Sequence, residues 1–484
     1  MSLSTALSNA LTGLTANSRA AGVVSSNLAN LSTPGYGRRD IELSPIARGG
    51  AGGVRVIAIT RNVDQGLLSD RRLADSALSY ADTRARFLGQ VQQAVGTPDV
   101  PGSLSSRIAA FESSLTTAAS RPEAPERLQA VAARAAELVQ GFETISDEIQ
   151  GRRQSAEEDI AFAVKTLNTA LKQAQGLNAE ITDARRRGFD VSSLEDHRQV
   201  VIDRIAEIVP VRELPRGNGE IALVTTGGAL LLDRVPVEFE FTRANMIVPD
   251  MTLANGGLSG IQINGLDVAP AGAGSPLNGG RLAALFEVRD TLATDAQTQL
   301  DALARDMVER FQQPGLDPSL SAADAGLFTD GGTRFDPVDE VGLAGRLTLN
   351  ALVDPAAGGE VWRLRDGLGA VAQGPTGNSD LLLAFSDALS GDRVLASGGL
   401  GTGAGSVAEH AGGLASYVGQ LRLTGDQATS FAVTRQTELE NMLLQGGVDS
   451  DAEAQRLLII EQAFTANARM IQTLDDMMQT LLRL

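Results

Sequence analysis

The side chains able to do acid–base, nucleophilic or metal chemistry are few and scattered. Two histidines occur, His197 and His410, far apart in the sequence. His197 stands between Asp196 and Arg198 in a charged run, the context of a solvent-facing imidazole rather than a general base. Cysteine is absent, which removes disulfides, thiolate nucleophiles and Cys/His zinc sites. The only lysines are Lys165 and Lys172, both in a helical stretch, whereas a phosphate-binding loop needs its lysine directly after a glycine turn. Gly401-Thr402-Gly403-Ala404-Gly405 is glycine-rich but no apolar strand leads into it, so it reads as a flexible linker. The acidic pairs Glu157-Glu158 and Asp475-Asp476 fall on helix surfaces, where solvation accounts for them. No H-E-x-x-H, G-x-S-x-G or calcium-loop pattern occurs. The expectation is a protein that is not an enzyme: no catalytic residues, no cofactor, no metal.

The elements that could carry another kind of function are more informative. With 484 residues, 43% hydrophobic and 21% charged, the chain has room for about two to four domains and a sizeable core. Aromatics are only 4%, so that core must be aliphatic and alanine-rich, which suits closely packed helices. A net charge of −18 argues against nucleic acid, whose phosphates need a basic face; Arg185-Arg186-Arg187 reads as a helix end complementing its dipole. No run of about 18 apolar residues is present, so no membrane insertion is expected. The opening Met1-Ser2-Leu3-Ser4-Thr5 has neither the basic nor the apolar region of a secretory leader.

Hydrophobic spacing predicts helices at both ends and a β-rich middle. A helix from Leu3 to about Leu31 stops at Ser32-Thr33-Pro34-Gly35-Tyr36. Residues 40–60 look extended around a glycine knot at Gly49 to Gly53. Helices follow at about Val63–Val95, at Ser103–Ala118, from near Pro122 or Pro125, with breaks, to Arg187, and at Ser193–Ile208, the last opened by a capping-box-like Ser193 and Asp196. Alternation at 220–224 and 235–241 marks strands, with Pro236 at an edge. A helix returns at 281–313, an irregular insertion with strands such as 346–349 follows, and helices resume near Val407, broken at Gly446-Gly447. The fold class is therefore mainly α with β-rich insertions. Its expected units are residues 1–60 paired with 446–484; a helical rod of 61–210 with 281–314 and 406–445; a β-rich insertion at 211–280; and a second β-rich or irregular insertion at 315–405.

A chain that leaves and returns along helices brings its termini together as an antiparallel coiled coil. Leu3, Leu7, Ala10, Leu14, Asn17, Ala21, Val24 and Leu28 alternate in steps of four and three, as do Leu457, Ile460, Phe464, Asn467, Ile471, Leu474, Met478 and Leu481. Setting Leu3 opposite Leu481 puts Leu7 by Met478, Leu14 by Ile471 and Leu28 by Leu457, and it brings Asn17 opposite Asn467, a polar pair able to fix register. Leu11, Val23, Leu31, Leu458, Ile459, Met470, Met477 and Leu482 lie off that seam, an apolar surface of the size that marks partner contacts.

Asn27-Leu28-Ala29-Asn30 followed by Thr33-Pro34-Gly35-Tyr36 closely resembles the N-terminal signature of the flagellar rod, hook and hook-associated axial proteins. The run 461–473 is similar to their C-terminal signature, with Phe464 where tyrosine is usual. Residues 194–203 and 279–290 resemble two helical markers of the hook-associated protein 1 family. The resemblance implies a structural subunit secreted through the flagellar type III export channel and self-assembling at the hook–filament junction. It also implies contacts with hook subunits and with the second junction protein, and an export chaperone on the C-terminal helix, for which Leu457 to Leu484 is a plausible amphipathic ligand. The alternatives are another axial protein, whether hook subunit or second junction protein, and an axial scaffold carrying an enzymatic insertion.

Overall fold

The computed structural model describes residues 3–46, 52–272, 274–401 and 403–483; Gly49 and Gly50 of the glycine knot and Thr402 of the glycine-rich linker lie outside them. Helix α1 (Leu3–Ala29) leads into an antiparallel hairpin, β1 (Arg38–Pro45) and β2 (Val54–Asn62). Helix α2 (Gln65–Val95) starts at Asp64, whose carboxylate accepts the N–H groups of Gly66 and Leu67. It ends at Gly96, whose φ of 72° suits glycine alone. Helix α3 (Leu104–Ala119) is capped by Ser103. Helix α4 (Pro125–Arg186) runs 62 residues from a proline in its first turn to Arg185 and Arg186 in its last. Breaks were expected within it and none occurs, because buried residues recur at helical spacing from Leu128 to Thr182.

Helix α5 (Ser192–Ile208) begins without a side-chain cap, so the Ser193/Asp196 capping box is not formed; Asp196 is engaged elsewhere. The middle of the chain then makes two small sheets. Strands β3 (Val211–Pro215), β4 (Ile221–Thr225), β5 (Leu230–Asp233) and β6 (Val235–Pro236) form one, with Pro236 on its edge; β7 (Phe239–Glu240), β8 (Ile261–Ile263) and β9 (Leu266–Val268) form the other. Helix α6 (Gly280–Glu287) passes through a π-turn at Val288–Leu292 into α7 (Ala293–Phe311). The π-turn presents Arg289 to the interior, where it meets Glu157 of α4 at 2.6 Å with both side chains fully buried, so Glu157 is not the solvated surface acid expected beside Glu158. Arg153 donates to the carbonyls of Arg289 and Met251, so this cluster clamps the second sheet to α4.

The 315–405 segment carries the strand expected at 346–349. Among its described residues are one two-stranded ladder, β10 (Phe328–Asp330) with β11 (Leu347–Leu349), and three short helices, α8 (Leu343–Arg346), α9 (Arg363–Asp366) and α10 (Asp380–Ser390). Of the two characters expected, β-rich or irregular, the irregular one prevails, and its apolar residues enter the common core. Phe328 stacks edge-on to Phe311 at 5.0 Å, and Phe385 lies 5.3 Å from Phe311. Helix α11 (Val407–Gln445) opens with a capping box between Ser406 and Glu409 and lies along α2; after Gly446-Gly447, α12 (Ser450–Arg483) lies along α1. The fold is mainly α, with small sheets in the middle and a paired helical rod at its termini.

Candidate assembly site

Asn27 lies in the last turn of α1 and is wholly buried. Its side chain completes a strand-like pair with Arg39: the amide donates to the Arg39 carbonyl at 2.9 Å and its oxygen accepts the Arg39 N–H at 3.0 Å. The same oxygen accepts the Tyr36 hydroxyl at 2.9 Å. Asn30 folds back to Ser26, and Thr33 bonds Asn30 in turn. The Tyr36 N–H closes a turn on the Thr33 carbonyl at 3.2 Å, with Pro34 second and Gly35 third at φ 77°, the arrangement of a type II turn. A Cβ on Gly35 would sit 2.5 Å from the Val200 side chain, so the turn lies flat on α5. Leu28 and Ala29 face solvent. The role of this segment is thus geometric: it turns the chain from helix to strand in the eight residues between Ala29 and Arg38 and seats the turn on the body.

Asp196 holds that seat. It accepts the Gly37 N–H at 2.9 Å, the Arg61 Nε–H at 2.7 Å and an Arg39 N–H at 3.1 Å. Arg61 also contacts Gln199 and donates to the Gly35 carbonyl, while Arg39 lies over the Tyr36 ring. Nearby, Arg198 is buried, bonded to Asn178 and to the Gly219 carbonyl; burial pulls its guanidinium below the usual range, against the opposing influence of Glu213 and Glu195. His197 is exposed and His410 pairs with the Arg393 carbonyl.

The second half of the joint comes from α12. Glu453 is fully buried, with one carboxylate oxygen on Arg38 Nε at 2.9 Å and the other without a hydrogen-bond partner. Asp40 bridges Arg38 and Arg456, at 3.2 and 3.0 Å. Glu453 lies near the foot of α1 and Asn467 farther along it, by Gly13, so the two helices run antiparallel.

The seam between them differs from the expected register. Asn467 lies against Gly13, where an added Cβ would come 2.9 Å from its side-chain nitrogen; the offset from Asn17 is one turn. The missing glycine side chain makes room for the amide, which a second asparagine would not. Leu3, Leu7, Leu14, Asn17, Leu457, Ile460, Asn467 and Ile471 are half-buried, and Ala10, Val24 and Leu474 buried. Leu28, Phe464, Met478 and Leu481 were expected inside and are exposed, Leu481 at 58%; Val23, expected outside, is buried. With the register shifted, the last turns of α12 run past the start of α1. Sequence reasoning missed Arg38, Arg39, Arg61, Asp196 and Glu453. One signal was present: Glu453 lies four residues before Leu457 and continues the seam series.

Three family profiles match in chain order. Residues 7–36 match the flagella basal body rod protein family, 88–317 the flagellar hook-associated protein FlgK helical domain, and 440–484 the flagellar basal body rod FlgEFG protein C-terminal family. A flagellar hook-associated protein 1 of Bacillus subtilis is 22% identical, with 98% of this chain and 96% of that protein aligned. Along nearly its whole length, then, the chain is similar to a flagellar hook-associated protein 1. Two further proteins named flagellar hook-associated protein 1 align in part: the Salmonella typhimurium protein is 27% identical over 54% of this chain, and the Escherichia coli protein 24% over the same share, each with about half its own length covered. A solved flagellar hook junction protein from Burkholderia pseudomallei aligns with 55% of this chain and 47% of its own, at 19% identity and a TM-score of 0.45. The family profiles at the two ends cover both halves of the joint, from Asn27 to Tyr36 and around Glu453.

Proposed function

We propose that this chain is a structural, non-catalytic subunit of the bacterial flagellum that self-assembles through its terminal helices and forms the hook–filament junction. The observation that carries this reading is the apolar surface left bare on the paired termini. Leu11 on α1 and Leu458, Ile459, Met470 and Leu482 on α12 are all exposed, and exposed apolar side chains gathered on one pair of elements mark a partner surface. Copies of the chain and its axial neighbours would cover it. In this reading the neighbours are hook subunits on one side and the second junction protein on the other, and an export chaperone holds α12 before assembly. The protein leaves the cell through the flagellar type III channel. The terminal pair lines the inner tube, residues 27–36 with Asp196 set its angle to the body, and residues 211–280 face outward.

Deleting the gene in a motile host tests the assignment. Hooks without filaments, and flagellin shed into the medium, are expected; normal filaments refute the junction role.

A further inference from the structure

A cleft of about 710 Å³ opens between α1, the β1–β2 hairpin and the loop after α4. Its walls carry Arg19, Arg39 and Arg185 together with Ile57 and Phe189, and those two apolar side chains are 56% and 65% exposed. The one acid on its lining, Asp190, is already occupied by Ser192. Arg39 is paired with Asp196 and Arg185 with Glu195, but Arg19 makes no ion pair among the described residues and the buried Arg39 Nε has no hydrogen-bond partner. A pocket with one uncompensated cation and an apolar rim, in a chain of net charge −18, calls for an acidic, apolar occupant.

The last turns of α12 have that chemistry. Asp475, Met478 and Leu482 stand on one helix face at i, i+3 and i+7, all exposed, and Asp475 bonds only Gln479 of its own helix. They cannot fill the cleft of their own molecule. Asn467 faces Gly13, so Asp475 lies on the opposite side of that contact from Arg19, roughly 20 Å away along the axis at 1.5 Å per residue. We propose that the cleft receives the Asp475–Leu482 face of α12 from a second copy of this chain. Cleft and knob are different patches, so each contact leaves one of each free and the array stays open-ended. This rests on the self-assembly reading above and supplies a specific contact for it.

The native chain lacks cysteine, which allows a clean test in the full-length protein. Gly22 lines the cleft and has open space where a Cβ would go. With Gly22→Cys and Met478→Cys in one chain, oxidation after assembly should give a ladder of linked dimers, trimers and higher species. Adding Arg19→Glu should cut the ladder about tenfold, and Asp475→Arg on the same chain should restore it. A product that stops at dimers, a ladder indifferent to Arg19→Glu, or light scattering that reports assembly without cross-links overturns the contact while leaving self-assembly standing. Failure of the unaltered chain to assemble would instead remove the self-assembly reading, and this contact with it.

Discussion

Arg38 and Glu453, 415 positions apart in the chain, meet in a 2.9 Å ion pair that ties the first strand to the last helix. The glutamate is nearly sealed from solvent, with its side chain 1% exposed. Removing one member of such a pair strands the other, whereas removing both together costs much less.

Arg38→Met should therefore loosen α12 at its start, with a local cost of about 3–5 kcal/mol, offset only in part by Arg456 at 3.4 Å. Hydrogen exchange of residues 450–457 should accelerate strongly. Combining Arg38→Met with Glu453→Leu should recover most of the protection, and a double variant as labile as the single would contradict a stranded charge as the cause.

Asn27→Ala unpairs both backbone groups of Arg39 and leaves the Tyr36 hydroxyl only its 3.3 Å bond to Ser26, all at the foot of α1. The expected loss is about 2–4 kcal/mol, read as a lower urea midpoint. Asn27→Asp keeps the acceptor but turns a carboxylate toward the Arg39 carbonyl, and should fall between alanine and the natural residue.

Gly35→Ala meets two penalties. The positive φ costs roughly 1–2 kcal/mol for any residue with a Cβ, and the methyl collides with Val200. Adding Val200→Ala should remove the collision alone. Full rescue by Val200→Ala in thermal melts would show that the backbone conformation carries no strain.

Asp301 should give the core a pH dependence. Burial pushes its carboxyl up from 3.8 to about 6, against the pull of the Ala344 and Gly342 N–H groups and of Gln297. The fold thus favours the protonated form, so the folded chain holds a proton that the unfolded chain has released. This contribution is fully present below about pH 4 and is lost as pH rises through 6, a difference of up to about 3 kcal/mol. Asp301→Asn should flatten that portion of the stability curve in urea melts between about pH 4 and 7; an unchanged slope would place the dependence elsewhere.

The helices and the antiparallel return were legible because long three-four spacing and punctuation by proline and glycine are local signals. The signature from Asn27 to Tyr36 was legible as a pattern, but its partners were not: Asp196 reaches its end across 159 positions and Arg61 across 26, and Asp196 looked locally like a helix cap. The register failed because period alone cannot rank a polar pair above a glycine that admits one asparagine. In the 315–405 segment the strand at 347–349 was legible but the short helices were not. Strand β10 and helix α10 are held by aromatic contacts to α3 and α7, and no local propensity announces a tertiary contact.

Helix α4 extends without a break for about 93 Å at 1.5 Å per residue. A bar of that length has no compliant point at which torsion can be absorbed, so a twist applied at one end arrives at the other. Slack in the subunit must then reside where the backbone is least braced, at the Gly446-Gly447 step between α11 and α12, and strain imposed on an array would be spent there before it deformed the core.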